Sequence, residues 1–239
     1  MKYQQLVVNG CSYMHNYAAG LGHMNLKTKL GINSAQSIAV SGSANSRILR
    51  TTLKHSYATT VPTFYVLGMT FVSRLELPIC EEENSFEGRW VNPQNQEFKS
   101  RWQMHWTDQD KEQFVETKLK SEIYSIVDRT EDLMYRMLST VNDLKSRGHA
   151  VLMYQQADNL YQAHLHDPKL TLFNHCPEIV HGFEWRATAY QYELGVLGTK
   201  YTADSQHVIP PDMTHPEKGH HYVLNTYLTN YINEHKILQ

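Results

Sequence analysis

A serine near one end of the chain and an acid–imidazole pair near the other are the residues whose types and spacing could do chemistry. Leu6-Val7-Val8-Asn9-Gly10-Cys11-Ser12-Tyr13 runs an apolar stretch straight into Gly-x-Ser, and Asp212-Met213-Thr214-His215-Pro216 sets a carboxylate three residues before a histidine. A hydroxyl, an imidazole to take its proton and an acid to orient that imidazole are the groups that nucleophilic acyl transfer needs. Ser12 stands where a strand gives way to a turn, and Gly10 leaves room for a tight one. Substrate can reach a serine placed there, and its own N–H can face a developing oxyanion. The plainer alternative is that Ser12 caps the helix that follows. His215 also has two readings. With Asp212 against its far nitrogen it is a general base; otherwise Asp212, Thr214 and Pro216 are ordinary start signals of a helix.

These residues can meet only if the elements between them bring them to one place. Leu6 to Val8 is apolar on both parities, as a strand buried on both faces should be. Further strands are expected at Ser37-Ile38-Ala39-Val40, Thr63-Phe64-Tyr65-Val66-Leu67 and Ala150-Val151-Leu152-Met153-Tyr154. The polar turn Ser41 to Ser46 leads into a helix-like segment, 47–53. The clearest helix runs from about Lys111 to Arg147: Leu119, Ile123, Ile126, Leu133, Met137, Val141 and Leu144 recur at steps of three and four, and Gly148 closes it. A last helix spans about Glu217 to Glu234. Strand, loop, helix, strand predicts a parallel sheet with crossover helices, whose ligand site lies beyond the carboxyl ends of the strands. Ser12, Gly42 and Gly68 each lie at the end of a strand, so all three should converge there.

The expected architecture is therefore a single α/β domain over 1–239, a three-layer α/β/α sandwich around a short parallel sheet. Two stretches, about 78–110 and 159–205, fit that scheme poorly and read as site-shaping insertions or elements without a clear periodic signal. At 239 residues, 41% hydrophobic and 19% charged, the chain is far from the disordered and fibrous classes. A net charge of -2 gives no reason to expect nucleic acid or an anionic membrane as partner. The N-terminal apolar run is too short for a secretion signal, and no later run reaches membrane-spanning length. With three cysteines and no Cys-x-x-Cys, reduced thiols and a cytoplasmic location are expected.

Taken as a set, the motifs resemble the SGNH/GDSL hydrolase family, and most nearly small SGNH-like proteins of phages and bacteria. The resemblance rests on Asn-Gly-Cys-Ser-Tyr after the first strand, a glycine in the turn after the second, and Gly-x-Thr at the third. It is completed by Asp-x-x-His-Pro near the end, with His215-Pro216-Glu217-Lys218-Gly219-His220 similar to the family's His-Pro-x-x-x-Gly-His. The resemblance spans about residues 6–235 and implies a flavodoxin-like α/β fold and a serine esterase or acylhydrolase. Its substrate would be an O-acyl or O-acetyl ester on a carbohydrate or other small polar molecule. It implies Ser12 as nucleophile, His215 as base, Asp212 as its orienting acid, and the N–H groups of Ser12 and Gly42 as oxyanion donors. The third-strand turn, with Gly68, would carry substrate-binding Arg74 and Glu76. The family's third oxyanion donor is an asparagine two residues after that glycine, where this chain has Thr70, whose hydroxyl has a shorter reach. Asn45 could project an amide into the same region instead. No cofactor is implied, and assembly into a homo-oligomer is left open. The alternative is a protein that keeps this fold for binding or structure with weak or no catalysis.

Other residues of chemical interest have plainer accounts. Cys11 adjoins Ser12 but should face the opposite way and be buried. Arg74 recognises a carboxylate or phosphate on the substrate, or pairs with Glu76 at the border of the pocket; the plainer account is a surface ion pair. His164, His166, Asp167, His175, Cys176, His220 and His221 lack the spacings of a well-attested metal site, so no metal is expected. Trp90, Trp102 and Trp106, with Phe86 and Phe98, line a groove or form a small satellite core, the second being favoured.

Overall fold

The computed structural model describes residues 2–70, 77–78, 90–91, 126–156, 175–180, 189 and 217–239. In them the chain forms an all-parallel five-stranded sheet with helices on both faces. Strand β1 (Gln5–Gly10) is followed by helices α1 (Ser12–Ala19) and α2 (Gly22–Leu30), then β2 (Ser34–Ser37), α3 (Asn45–Ala58) and β3 (Thr63–Met69). A small antiparallel pair, β4 (Leu77–Pro78) and β5 (Trp90–Val91), comes next. Helix α4 (Ile126–Ser146), β6 (Ala150–Gln155) and β7 (Ile179–Val180) follow. The C-terminal helix comprises Glu217–Val223, a π-helical turn Leu224–Leu228 and Thr229–Glu234.

Alternation along the strands decides which helix lies on which face. Leu6 and Val8, Phe64 and Val66, Leu152 and Tyr154 pack with α1, α2 and the C-terminal helix. Their neighbours Val7, Tyr65, Leu67, Met69, Val151 and Met153 pack with Ile48 and Leu49 of α3 and Met137, Val141 and Leu144 of α4. Every residue of β3 is buried, which is why its sequence is apolar without interruption. Full burial of each large side chain contributes roughly 1.5–3 kcal/mol, so the two faces hold both helical layers to the sheet.

One expected element is corrected. The second strand is the polar segment Ser34–Ser37, not 37–40; it is an edge strand with its side chains partly or fully exposed, so burial imposes no apolar pattern on it. The apolar residues beyond it still run beside β1, through Ile38 N–H to Val8 O (3.0 Å) and Val40 N–H to Gly10 O (3.2 Å). In the stretch 159–205, read as an insertion or as elements without a clear periodic signal, Ile179–Val180 forms β7, a strand of the main sheet too short for periodicity to reveal. The long helix is described from Ile126, and the expected part before that lies outside the described residues. It does end as expected at Gly148, with Gly148 N–H on Lys145 O and His149 N–H on Leu144 O, a Schellman closure.

The order β2-β1-β3-β6-β7 sets the site. The chain leaves β1 to one side for β2, then crosses back over β1 to β3. The crevice between the carboxyl ends of β1 and β3, where Gly10 pairs with Gly68, is the topological switch point. At the opposite end of the sheet lies a buried cluster of rings. His55 Nδ1 is 2.9 Å from the Tyr65 hydroxyl, and the His149 ring stands edge-on to Tyr65 at 5.6 Å. Thr63 N–H donates to His149 Nδ1 at 3.2 Å, which requires that nitrogen to be unprotonated.

Burial holds His23, His55 and His149 below the ordinary histidine range; for His149 the nearby Arg147 and His55 add to this, against Ser56 and Asp143. Groups depressed in the folded state give stability that is complete above the unfolded value and is lost as pH falls toward the folded one. The thermal midpoint is therefore expected to be flat above about pH 6.5 and to fall below it. His55→Gln, which cannot titrate, should shrink that fall. A scan from pH 8 to pH 5 checks both, and a level midpoint across it contradicts the expectation.

Candidate active site

The turn after β1 presents Ser12. Cys11 keeps an extended backbone (φ −88°, ψ −156°) and occupies the cap position without any side-chain cap bond, and His15 N–H closes the first helical bond on Cys11 O at 3.0 Å. Ser12 is thus the first helical residue and does not cap α1, which removes the plainer reading of this serine. Its N–H is among the donors that a helix start leaves unsatisfied within the helix, at the positive end of the helix dipole. The residue is buried, with 8% of its surface exposed.

Gly42 shapes the neighbouring turn. Ser43 N–H reaches Val40 O at 3.2 Å, closing a four-residue turn with Gly42 third at φ 77°, the type II geometry that favours glycine. The Ser43 hydroxyl also donates to Val40 O at 2.7 Å. Because Val40 is bonded to Gly10, this turn is tied to the end of β1, just before Ser12.

Thr70 ends β3 in a different way from that expected. Its N–H donates to Asn45 Oδ1 at 2.7 Å, and its carbonyl accepts from Asn45 Nδ2 at 2.9 Å and Gln155 Nε2 at 3.0 Å. Both polar atoms of the Asn45 carboxamide bond the Thr70 backbone, so Asn45 ties the start of α3 to the end of β3. The Thr70 hydroxyl is buried and has no hydrogen-bond partner among the described residues. A buried hydroxyl in that state costs about 1–3 kcal/mol, so something must offset it or use it.

Asn9 holds the other side of the crevice. Its Nδ2 lies 2.9 Å from Ile48 O, Thr51 Oγ1 and Thr52 Oγ1, and its Oδ1 accepts from Gly10 N–H at 2.9 Å. One buried side chain thereby binds the first turns of α3 to the end of β1. Beneath Ser12, Gln156 lies over Gly68: a Cβ on Gly68 would fall 2.1 Å from Gln156 Nε2, so the amide needs a glycine below it. That amide joins Cys11, Tyr154 and His220 in a buried polar network. Burial holds the Tyr154 phenol well above its ordinary range, against the lowering effect of the Gln156 hydrogen bond, so it remains a protonated hydroxyl.

Ser12, Gly42, Asn45, Gly68 and Thr70 therefore gather at the carboxyl ends of β1, β2 and β3, as the strand argument requires. Asp212, His215, Arg74 and Glu76 lie outside the described residues, as do Trp102, Trp106, Phe86 and Phe98. Cys11 is fully buried, as expected. Asn9, Tyr154, Gln156 and His220 were not singled out as site residues from sequence. Asn9 and His220 carried the usable signals, their places in Asn-Gly-Cys-Ser-Tyr and in the His-Pro-Glu-Lys-Gly-His ending. Among the described residues no group of three acidic, histidine or cysteine side chains could hold a metal ion, and no helix is long and apolar enough to cross a membrane. No protein-family model matches the chain, and none of the curated proteins matches it in sequence.

Proposed function

We propose that this chain is a serine hydrolase of the SGNH/GDSL type, cleaving an O-acyl or O-acetyl ester on a carbohydrate or other small polar molecule. The observation that carries the reading is that Ser12 opens α1 at the switch point without serving as its cap. Ser12 Oγ attacks the ester carbonyl while His215 takes its proton, oriented by Asp212. The carbonyl oxygen becomes an oxyanion held by the N–H groups of Ser12 and Gly42, with the Thr70 hydroxyl as third donor. Collapse expels the alcohol with the proton from His215. Water, deprotonated by His215, then releases the acid from Ser12. Arg74 and Glu76 contact the polar part of the substrate.

A second reading, a protein of the same fold with weak or no catalysis, is favoured by Thr70 in place of the family's asparagine and by the engagement of Asn45 with the Thr70 backbone. One experiment separates the two. Wild type and Ser12→Ala are incubated with p-nitrophenyl acetate and with a fluorophosphonate probe. The hydrolase reading expects turnover and covalent labelling in the wild type and neither in Ser12→Ala at an unchanged thermal midpoint. A folded wild type that does neither leaves the second reading in place.

A further inference from the structure

We propose that Gln156 and His220 are positioning residues for Ser12, holding the residues on either side of it, Cys11 by its thiol and Tyr13 by its carbonyl; the proposal rests on the hydrolase reading above. His220 Nδ1 is 3.1 Å from the carbonyl oxygen of Tyr13, which can only accept, so this nitrogen carries the proton and Nε2 of the neutral ring accepts. Nε2 lies 3.1 Å from the Tyr154 hydroxyl and 3.3 Å from Gln156 Nε2. Gln156 Nε2 also donates to the Tyr154 oxygen at 2.7 Å, while its Oε1 accepts from the Cys11 thiol at 3.4 Å. The Tyr154 hydroxyl lies 3.0 Å from Met14 Sδ as well.

The network begins on the residue before Ser12 and ends on the residue after it. Cys11, Tyr154, Gln156 and His220 are all at most 5% exposed, so water does not replace a lost partner easily. Gly10 and Gly68, paired in the sheet, leave the space in which the network sits. His220 also follows His215 by five positions, so the helix that carries it begins next to the candidate base in sequence. None of these hydrogen bonds is made to Ser12 Oγ. The network's effect on catalysis is through the placement of the Ser12 N–H and hydroxyl, and misplacement by about 1 Å costs roughly a hundredfold in rate.

The test uses His220→Asn, His220→Gln and Gln156→Met in the full chain, read by the initial rate of fluorophosphonate labelling at Ser12 and by the thermal midpoint. Asparagine puts an amide nitrogen at the place of Nδ1 and keeps the bond to Tyr13 O. Glutamine reaches the place of Nε2 and loses that bond. Labelling is expected to slow about tenfold or more in His220→Gln and Gln156→Met and to stay within about threefold of wild type in His220→Asn. The comparison holds between variants of matched midpoint. Labelling as fast as wild type in His220→Gln and Gln156→Met overturns the proposal, and so does equal slowing of both His220 variants in step with lost stability. A folded wild type that is not labelled at Ser12 overturns the hydrolase reading itself, and the proposal with it.

Discussion

Gly219→Ala is expected to destabilise the protein by roughly 1–3 kcal/mol, although alanine in place of glycine inside a helix ordinarily gains about 1 kcal/mol. A Cβ on Gly219 would lie 1.9 Å from the carbonyl oxygen of Ala189, 2.5 Å from its carbonyl carbon and 2.8 Å from its Cα. These are backbone atoms in a buried contact, and they cannot swing aside as a side chain would. The C-terminal helix must move off residue 189, loosening Val223 and Leu224 from the sheet and His220 from Tyr154. For a chain of this size each kcal/mol shifts the thermal midpoint by about 2–4 °C. Thermal unfolding of Gly219→Ala checks the sign. A midpoint equal to or above that of the wild type would mean that the contact relaxes at little cost and that helix propensity prevails.

Thr70→Val should separate stability from activity, moving them in opposite directions. Valine keeps the shape of threonine and removes a buried hydroxyl that has no partner among the described residues, while both backbone bonds to Asn45 remain. Stability is expected to stay the same or to rise by about 1 kcal/mol. If that hydroxyl is the third oxyanion donor, turnover of p-nitrophenyl acetate falls by about 10²–10³, and Thr70→Ser restores most of it. Loss of activity in a protein at least as stable as the wild type cannot be ascribed to unfolding. Unchanged turnover in Thr70→Val removes Thr70 from the oxyanion site and leaves two backbone donors to do the work.

The parts legible in the sequence are those in which a local pattern coincides with burial. β1, β3 and β6 are buried on both faces, and their apolar runs located them to within two residues at each end. Gly42 and Gly148 stand where a turn and a helix end require φ near +77° and +79°, so their residue type marked them. β2 escaped because an exposed edge has no need of an apolar face, and the adjoining run Ile38 to Val40 drew the assignment toward itself. β7 escaped because two residues show no period. The site divides in the same way. Ser12, Gly42 and Gly68 were singled out because each follows a strand, and Thr70 through the family resemblance. Asn9, Tyr154, Gln156 and His220 are joined by bonds to partners far away in sequence, as between Cys11 and Gln156, and no spacing signals such pairs. The engagement of Asn45 with Thr70 was hidden for the same reason.

The π-helical turn at Leu224–Leu228 lets the C-terminal helix hold one residue more than regular winding would allow on the same face. At 3.6 residues per turn, an unbroken helix would carry Ile232 about 120° around the axis from His220. The wider turn winds less per residue, and Leu228 and Ile232 come back to the face that already holds Val223 and Leu224 against the sheet. A substitution within the turn changes one contact. Deleting one residue from the turn would restore regular winding and leave Ile232 about 20° around the axis from His220, still on the buried face. Loss of one residue from this stretch is therefore expected to keep the helix seated on the sheet, with the π turn replaced by regular winding.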